Sequence, residues 1–376
     1  MKSLILNFVQ RLFRIIPIRH NKLIFIDYYG MGYGCSPKSL SDYINEHKPN
    51  WKIVWCFTNP DKFTVKGIKK IRYFSLLFFY ELATSKILVT NFRMPVFYKK
   101  RKGQKYVQTW HSSLRLKKVE GDVESVLKPN YIEMAKHDSN QIDLFVSGCR
   151  ITSDTIKRAF WYRGEIIESG TPRIDTLIHN SLERIKEIRS DLGIALDMKV
   201  LLFAPTFRNC ENKNYLSFDT DKLLKLINDH QKPNWIVLNR FHPHDYNKKG
   251  DLMSKDTIDV TNYSDVQDLM LIADILVTDY SGLMFDFAYT QKPCFLYVPD
   301  LEEYIRSERS LYFDIKSLPF PMCFSIEELA KNIIEFNQDT YEVATKSFLS
   351  EIGTFENGEA CKKITARITE WIEKTK

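Results

Sequence analysis

Paired cysteines are missing from this chain. Its seven cysteines, at 35, 56, 149, 210, 294, 323 and 361, form no C-x-x-C, total an odd number and mostly lie in apolar runs such as Trp55-Cys56-Phe57. That excludes a disulfide frame and a zinc ribbon and points to small core residues in a reduced compartment. Low-complexity tracts and internal repeats are absent, so neither a disordered tail nor a solenoid is expected. No G-x-x-x-x-G-K-[ST] occurs, which excludes a P-loop nucleotidase. Gly30-Met31-Gly32-Tyr33-Gly34-Cys35 lacks the last glycine of the dinucleotide fingerprint and reads as a flexible loop. His242 and His244 lack a third partner at metal-ligand spacing, so no metal is expected. No run is both long and uncharged enough to span a bilayer.

Acidic residues are missing before Asp27, whereas Lys2, Arg11, Arg14, Arg19 and Lys22 all precede it. Leu4, Ile5, Phe8, Val9, Leu12, Phe13 and Ile16 share one helical face there. The stretch lacks a signal peptide's uninterrupted apolar centre and cleavage site. It predicts a basic amphipathic helix over residues 1–22, lying on the inner membrane face or packed on its own domain. Tyr73–Ala83 (YFSLLFFYELA) predicts a buried helix, because Glu81 and its length argue against a span. The whole chain carries 54 Lys+Arg against 47 Asp+Glu, a net +7. That balance suits polyanionic substrates or an anionic surface but is too small for a dedicated nucleic-acid binder.

What is present is a repeating strand–helix rhythm in 376 residues, enough for two domains. Apolar runs at 23–27, 52–57, 86–90, 105–110 and 143–147 form one set. Runs at 199–203, 235–239, 258–260, 275–278 and 293–298 form another. Continuous apolar strands between helical patterns imply parallel sheets covered on both faces, hence two doubly wound α/β domains. The expected division is 23–185 and 186–350, followed by a helix over 351–376.

Ligands of such sheets bind beyond the carboxyl ends of the strands. Five polar stretches stand there: His111-Ser112-Ser113 with Arg115, Gly170-Thr171-Pro172-Arg173, Pro205-Thr206-Phe207-Arg208, Arg240-Phe241-His242-Pro243-His244 and Thr278-Asp279-Tyr280-Ser281-Gly282. Each alone is explained by turns and caps, since Ser, Thr and Gly commonly cap helices. Together they supply cations, hydroxyls and imidazoles suited to an anion. Ser281-Gly282 offers free amides at the start of a helix expected over 283–289, Arg240 and Arg173 offer forked donors, and His111 and His242 can take or share a proton. Asp286, one turn on, can hold a hydroxyl.

The stretches QTWHSSLRLKK, SGTPRIDTL, LLFAPTFRN, RFHPH and DLMLIADILVTDYSGLMFDFAYTQKPCFLYVPDLEEY resemble, in order from about residue 24 to 310, the CDP-glycerol glycerophosphotransferase family of teichoic acid and capsule polymer synthesis. The resemblance implies a GT-B-like fold: two Rossmann-like domains, an interdomain cleft and a C-terminal helix returning to the first domain. It implies transfer of an alditol phosphate, glycerol or ribitol, from CDP-glycerol or CDP-ribitol to an acceptor hydroxyl, releasing CMP and needing no cofactor. His111 matches the family's probable base. Arg173, Pro205, Thr206, Arg240, His242, Ser281, Gly282 and Asp286 match positions that hold the CDP-alditol. Ser112, Ser113, Arg115 and Thr278 adjoin them and join the expected substrate contacts. Two departures bear on substrate identity: the family usually has His-Gly-Thr-Pro at His111-Ser112-Ser113-Leu114, and Ser-Ser at Ser281-Gly282. The implied setting is cytoplasmic, peripheral to the membrane, with a lipid-linked saccharide or polymer acceptor. The family's long N-terminal extension, found in some polymerases, is missing, which favours a single addition or a short chain. The alternatives are a nucleotide-sugar glycosyltransferase of the same architecture and a catalytically inactive membrane-associated binding protein.

Overall fold

The computed structural model describes residues 10–207, 218–229, 234–241, 255–307 and 310–374. The chain divides into two compact units. The first holds the chain up to Ser113, Val119–Thr176 and the segment from Gly353; the second holds Leu114–Lys118 and Leu177–Ile352. The division after Thr176 falls inside the helix Pro172–His179, against an expected boundary at 185/186.

The first unit is built on seven parallel strands: β1 (Arg19–Ile26), β2 (Lys52–Phe57), β3 (Lys69–Arg72), β4 (Ser85–Thr90), β5 (Lys105–Gln108), β6 (Leu144–Val146) and β7 (Glu165–Ile167), in spatial order 3-2-1-4-5-6-7. The alternation of side chains along each strand explains the continuous apolar runs. Ile24, Ile26, Val54, Cys56 and Leu88 face one core layer with Phe78, Phe79 and Phe160. Leu23, Phe25, Ile53, Trp55, Ile87 and Val89 face the other, where Ile364, Ile368 and Trp371 of the C-terminal helix Ala360–Glu373 cover the sheet. With both faces buried, the inner positions of β1, β2 and β4 are continuously apolar.

The second unit has six parallel strands: β8 (Lys199–Phe203), β9 (Trp235–Asn239), β10 (Thr257–Asp259), β11 (Ile275–Thr278), β12 (Cys294–Tyr297) and β13 (Met322–Cys323), in order 10-9-8-11-12-13. The helices Thr220–Asn228 and Ile326–Ile334 lay Leu223, Ile227, Leu329 and Ile333 against one face. Both sheets therefore run outward from a central strand in two directions, with topological switch points at β1/β4 and β8/β11. A crevice forms outside the strand ends at such a point.

The expected helix over 1–22 needs correction at its end: Arg19–Lys22 belong to β1, and within the described part Phe13–Ile15 is a short 3-10 turn. Pro17 removes a backbone donor just after it, which ends helical bonding. The expected buried helix at 73–83 is the helix Leu76–Thr84, opened by Ser75, whose Oγ accepts the Phe78 amide at 3.1 Å. Its first two residues are not buried, for Leu76 is 69% exposed and Leu77 42% exposed.

Candidate functional site

In the first unit, polar side chains gather at the ends of β1, β4 and β5. Asp27 and Asn91 follow β1 and β4, and both are buried. The Asn91 amide donates to Asp27 Oδ1, and Asn91 Oδ1 accepts the Tyr28 backbone N–H at 3.0 Å. With its side chain fixed from two sides, Asn91 presents its backbone carbonyl to His111 Nδ1 at 3.0 Å. A carbonyl can only accept, so Nδ1 carries the proton, and in the neutral form of the ring the lone pair lies on Nε2. Trp110 stacks on the imidazole with centroids 4.5 Å apart, and Tyr28 lies 5.7 Å away. Trp110 itself takes φ 52°, and Tyr28, Tyr29 and Cys35 also have positive φ. Non-glycine residues in that region store strain that the surroundings must hold.

The Gly-rich stretch after β1 is tied down, in contrast to the flexible loop expected. The Gly30 carbonyl accepts the Thr58 amide at 2.7 Å, and Gly30 has φ 85°. A Cβ on Gly32 would lie 2.8 Å from Asp27 Oδ2, so that position excludes a side chain.

In the second unit the ends of β8 and β11 are laced together. Thr278 Oγ1 donates to the Ala204 carbonyl at 2.7 Å. The Asp279 carboxylate accepts the Thr206 amide at 2.9 and 3.0 Å and the Tyr280 amide at 2.6 Å. Asp279 was not among the expected site residues; only the pairing of β8 with β11 brings Thr206 to it. Ser281 Oγ accepts the Leu283 amide at 3.3 Å, so the hydroxyl does cap the turn. The backbone amides of Ser281 and Gly282 make no hydrogen bond among the described residues. Neither strain nor crowding demands a glycine at 282: its φ is −61°, and a Cβ would meet only the Leu114 carbonyl, at 3.5 Å. The helix that follows is shorter than expected, Leu283–Phe287, continued by a 3-10 turn to Thr290.

The remaining expected residues divide by burial. Ser112, Pro205 and Thr206 are half-buried at strand ends. Arg240 is half-buried too, with Nη1 donating to the carbonyls of Val260 at 3.2 Å and Tyr263 at 2.7 Å. Ser113 is buried, its carbonyl accepting Thr152 Oγ1 at 2.6 Å, and Thr278 and Asp286 are fully buried. Arg115 is buried, in the segment Leu114–Lys118 that belongs to the second unit. His242, expected to share in catalysis, lies outside the described residues, as do Arg208 and His244. Arg173 is 4% exposed, and its Nη1 donates to the His111 carbonyl at 2.6 Å and to Cys35 Sγ at 3.4 Å.

The family described as CDP-Glycerol:Poly(glycerophosphate) glycerophosphotransferase matches residues 8–370. The chain is 31% identical to a teichoic acid poly(glycerol phosphate) polymerase of Staphylococcus epidermidis over 92% of its own length, although it spans only 50% of that polymerase. It is 31% identical to a teichoic acid glycerol-phosphate transferase of Staphylococcus aureus, over 98% of both chains. Among solved structures, the wall teichoic acid polymerase TagF superposes with a TM-score of 0.88 at 29% identity, over 98% of this chain and 95% of that one. A histidine-to-asparagine variant of TagF soaked with CDPG superposes at 0.87. Two parallel doubly wound sheets, the ordered motifs at their strand ends and a match across nearly the whole sequence lead to one assignment: the chain belongs to the CDP-glycerol:poly(glycerophosphate) glycerophosphotransferase family of transferases.

Proposed function

We propose that this chain transfers glycerol phosphate from CDP-glycerol to a hydroxyl of a teichoic acid or capsule polymer precursor and releases CMP. The observation that carries the reading is the Nδ1 bond of His111 to the Asn91 carbonyl, which leaves Nε2 as the proton acceptor. In the reaction His111 Nε2 takes the acceptor's proton, the acceptor oxygen bonds to the β-phosphorus, and the bridging P–O bond breaks. Its electron pair leaves with CMP. Charge on the moving phosphoryl group is met by the amides of Ser281 and Gly282, by Arg240 and by His242. Such sites work through positioning and fixed dipoles more than through covalent chemistry. A glycine at 282 that the backbone does not require fits the close approach of a phosphate.

A second part of the reading concerns place. No helix among the described residues is long and apolar enough to cross a membrane. The 3-10 turn Phe13–Ile15 packs on the helix Leu76–Thr84, with Phe13 and Tyr80 rings 6.0 Å apart. Around that contact Leu12, Ile15, Phe74, Leu76 and Leu77 are exposed, and Ile15 is 88% so. Exposed Arg11, Arg19, Arg72, Lys99 and Lys102 accompany them. Apolar side chains beside cations suit the interface of an anionic bilayer. The protein would therefore act as a peripheral enzyme on a lipid-borne acceptor.

The test is a donor panel of CDP-glycerol, CDP-ribitol and a UDP-sugar, with membrane extract as acceptor and released nucleotide as readout. CMP from CDP-glycerol is expected, and His111→Ala should lower turnover about 10²–10⁴-fold while keeping CDP-glycerol binding. CMP release from CDP-ribitol alone would reassign the donated unit. Nucleoside diphosphate from the UDP-sugar alone would replace the reading by glycosyl transfer.

A further inference from the structure

The motif Gly170-Thr171-Pro172-Arg173-Ile174-Asp175 ends a strand of the first unit, where an arginine would ordinarily be taken for a phosphate clamp. Its surroundings speak against that use. Arg173 is 4% exposed, and its Nη1 is committed to the His111 carbonyl at 2.6 Å and the Cys35 sulfur at 3.4 Å. The helix that bears it is fastened on two sides by the C-terminal segment. Thr171 gives its amide and hydroxyl to Glu356, each at 2.8 Å. Asp175 accepts the amides of Ala360 at 3.1 Å and Cys361 at 2.7 Å, which open the helix Ala360–Glu373. Gly170, at φ 84°, lets backbone and carboxylate abut, since a Cβ there would lie 2.6 Å from Glu356 Oε2.

We propose that Arg173 is a positioning residue for His111, holding the histidine's backbone from one side while the Asn91 carbonyl holds its ring from the other, and that the C-terminal segment sets Arg173 through Thr171 and Asp175. The proposal rests on the reading of His111 as the base. The histidine follows Trp110 in a left-handed backbone conformation, so its carbonyl does not stay in place through ordinary strand pairing. A displacement of about 1 Å at a reacting group lowers rates about 10²-fold. Arg173 therefore acts on turnover through the ring it steadies and has no contact with phosphate.

The experiment compares the full chain with Arg173→Lys, Arg173→Gln, Thr171→Val, His111→Ala and the double variant His111→Ala/Arg173→Gln. It measures kcat, KM and the calorimetric Kd for CDP-glycerol. Arg173→Gln should lose about 10–100-fold in kcat, with Kd within about threefold, and Arg173→Lys should recover part of the loss. The double variant should be no slower than His111→Ala, because both act through one group. Thr171→Val should lower kcat several-fold at unchanged Kd. A Kd raised tenfold or more in Arg173→Lys with kcat kept identifies a phosphate clamp and overturns the proposal. So does an additive loss in the double variant. If the glutamine variant does not fold, the kcat–Kd split of the lysine and Thr171 variants decides. His111→Ala inactive with Arg173→Gln unimpaired overturns this inference alone; His111→Ala fully active overturns the base assignment with it.

Discussion

Burial pushes the Glu356 carboxyl up to about 8 from an ordinary 4.5, with the neighbouring Asp175 adding to the rise and the bonds from Thr171 and the charge of Arg173 opposing it. Below 4.5 the folded and unfolded chains both bind this proton. Between 4.5 and 8 only the folded chain does, so each pH unit of rise costs the folded state about 1.4 kcal/mol, and the loss is complete above 8. Glu356→Gln keeps a neutral group that can still accept from Thr171, without the titration. Its melting temperature should lie near the parent's at pH 4.5 and rise progressively above it towards pH 8. A difference that stays constant between those limits would show that the carboxyl is ionised in the folded protein. Glu356 also marks what a sequence cannot reveal at this scale. His111, Ser281 and Gly282 stood out because their own motifs are unusual, whereas Asp27, Asn91 and Glu356 act through partners 64 and 185 residues away. Arg173 was visible as a cation at a strand end; the side of the backbone its guanidinium takes depends on the packing of a helix that starts at Ala360.

Among the elements, the junction of β8 and β11 carries the plainest consequence. The Asp279 carboxylate takes amides from both strand ends, Thr206 on one side and Tyr280 on the other. It is 2% exposed, so Asp279→Ala strands buried donors, at about 1–3 kcal/mol for unmet hydrogen-bonding groups. The expected result is a lower urea midpoint together with a CDP-glycerol Kd raised about tenfold, the equivalent of about 1.4 kcal/mol. Lower stability with unchanged affinity would separate Asp279 from the donor site. The strands around it were legible because both their faces are buried, and a run such as ILVT has no other economical fate. β3 and β13 were not. They are edge strands, one reading Lys69-Lys70-Ile71-Arg72 with only Ile71 buried, the other two residues long. Charge and brevity are how sheets protect exposed edges, and they erase the apolar signal that marks a strand.

At the scale of the whole molecule, strand order was inaccessible to periodicity, yet the two sheets repeat one topology, 3-2-1-4-5-6, the first adding a seventh strand. That repetition sets a topological switch point in each unit, at β1/β4 and at β8/β11, where a crevice forms outside the strand ends. The net charge of +7 and the exposed Ile15 and Leu76 on neighbouring elements give attachment a measurable form. The full chain should cosediment with vesicles containing phosphatidylglycerol at low salt, bind neutral phosphatidylcholine vesicles more weakly and be partly released by high salt, since screening weakens the ionic share but not the apolar one. Burying a large aliphatic side chain gains about 1.5–3 kcal/mol, so Ile15→Glu/Leu76→Glu should weaken vesicle binding by well over tenfold. CDP-glycerol affinity in solution should stay unchanged, because neither residue belongs to the strand-end stretches expected to hold the donor. Vesicle binding that survives the double substitution would move the membrane contact to another face of the protein, and vesicle binding absent from the parent chain would remove the peripheral reading while leaving the transfer chemistry intact.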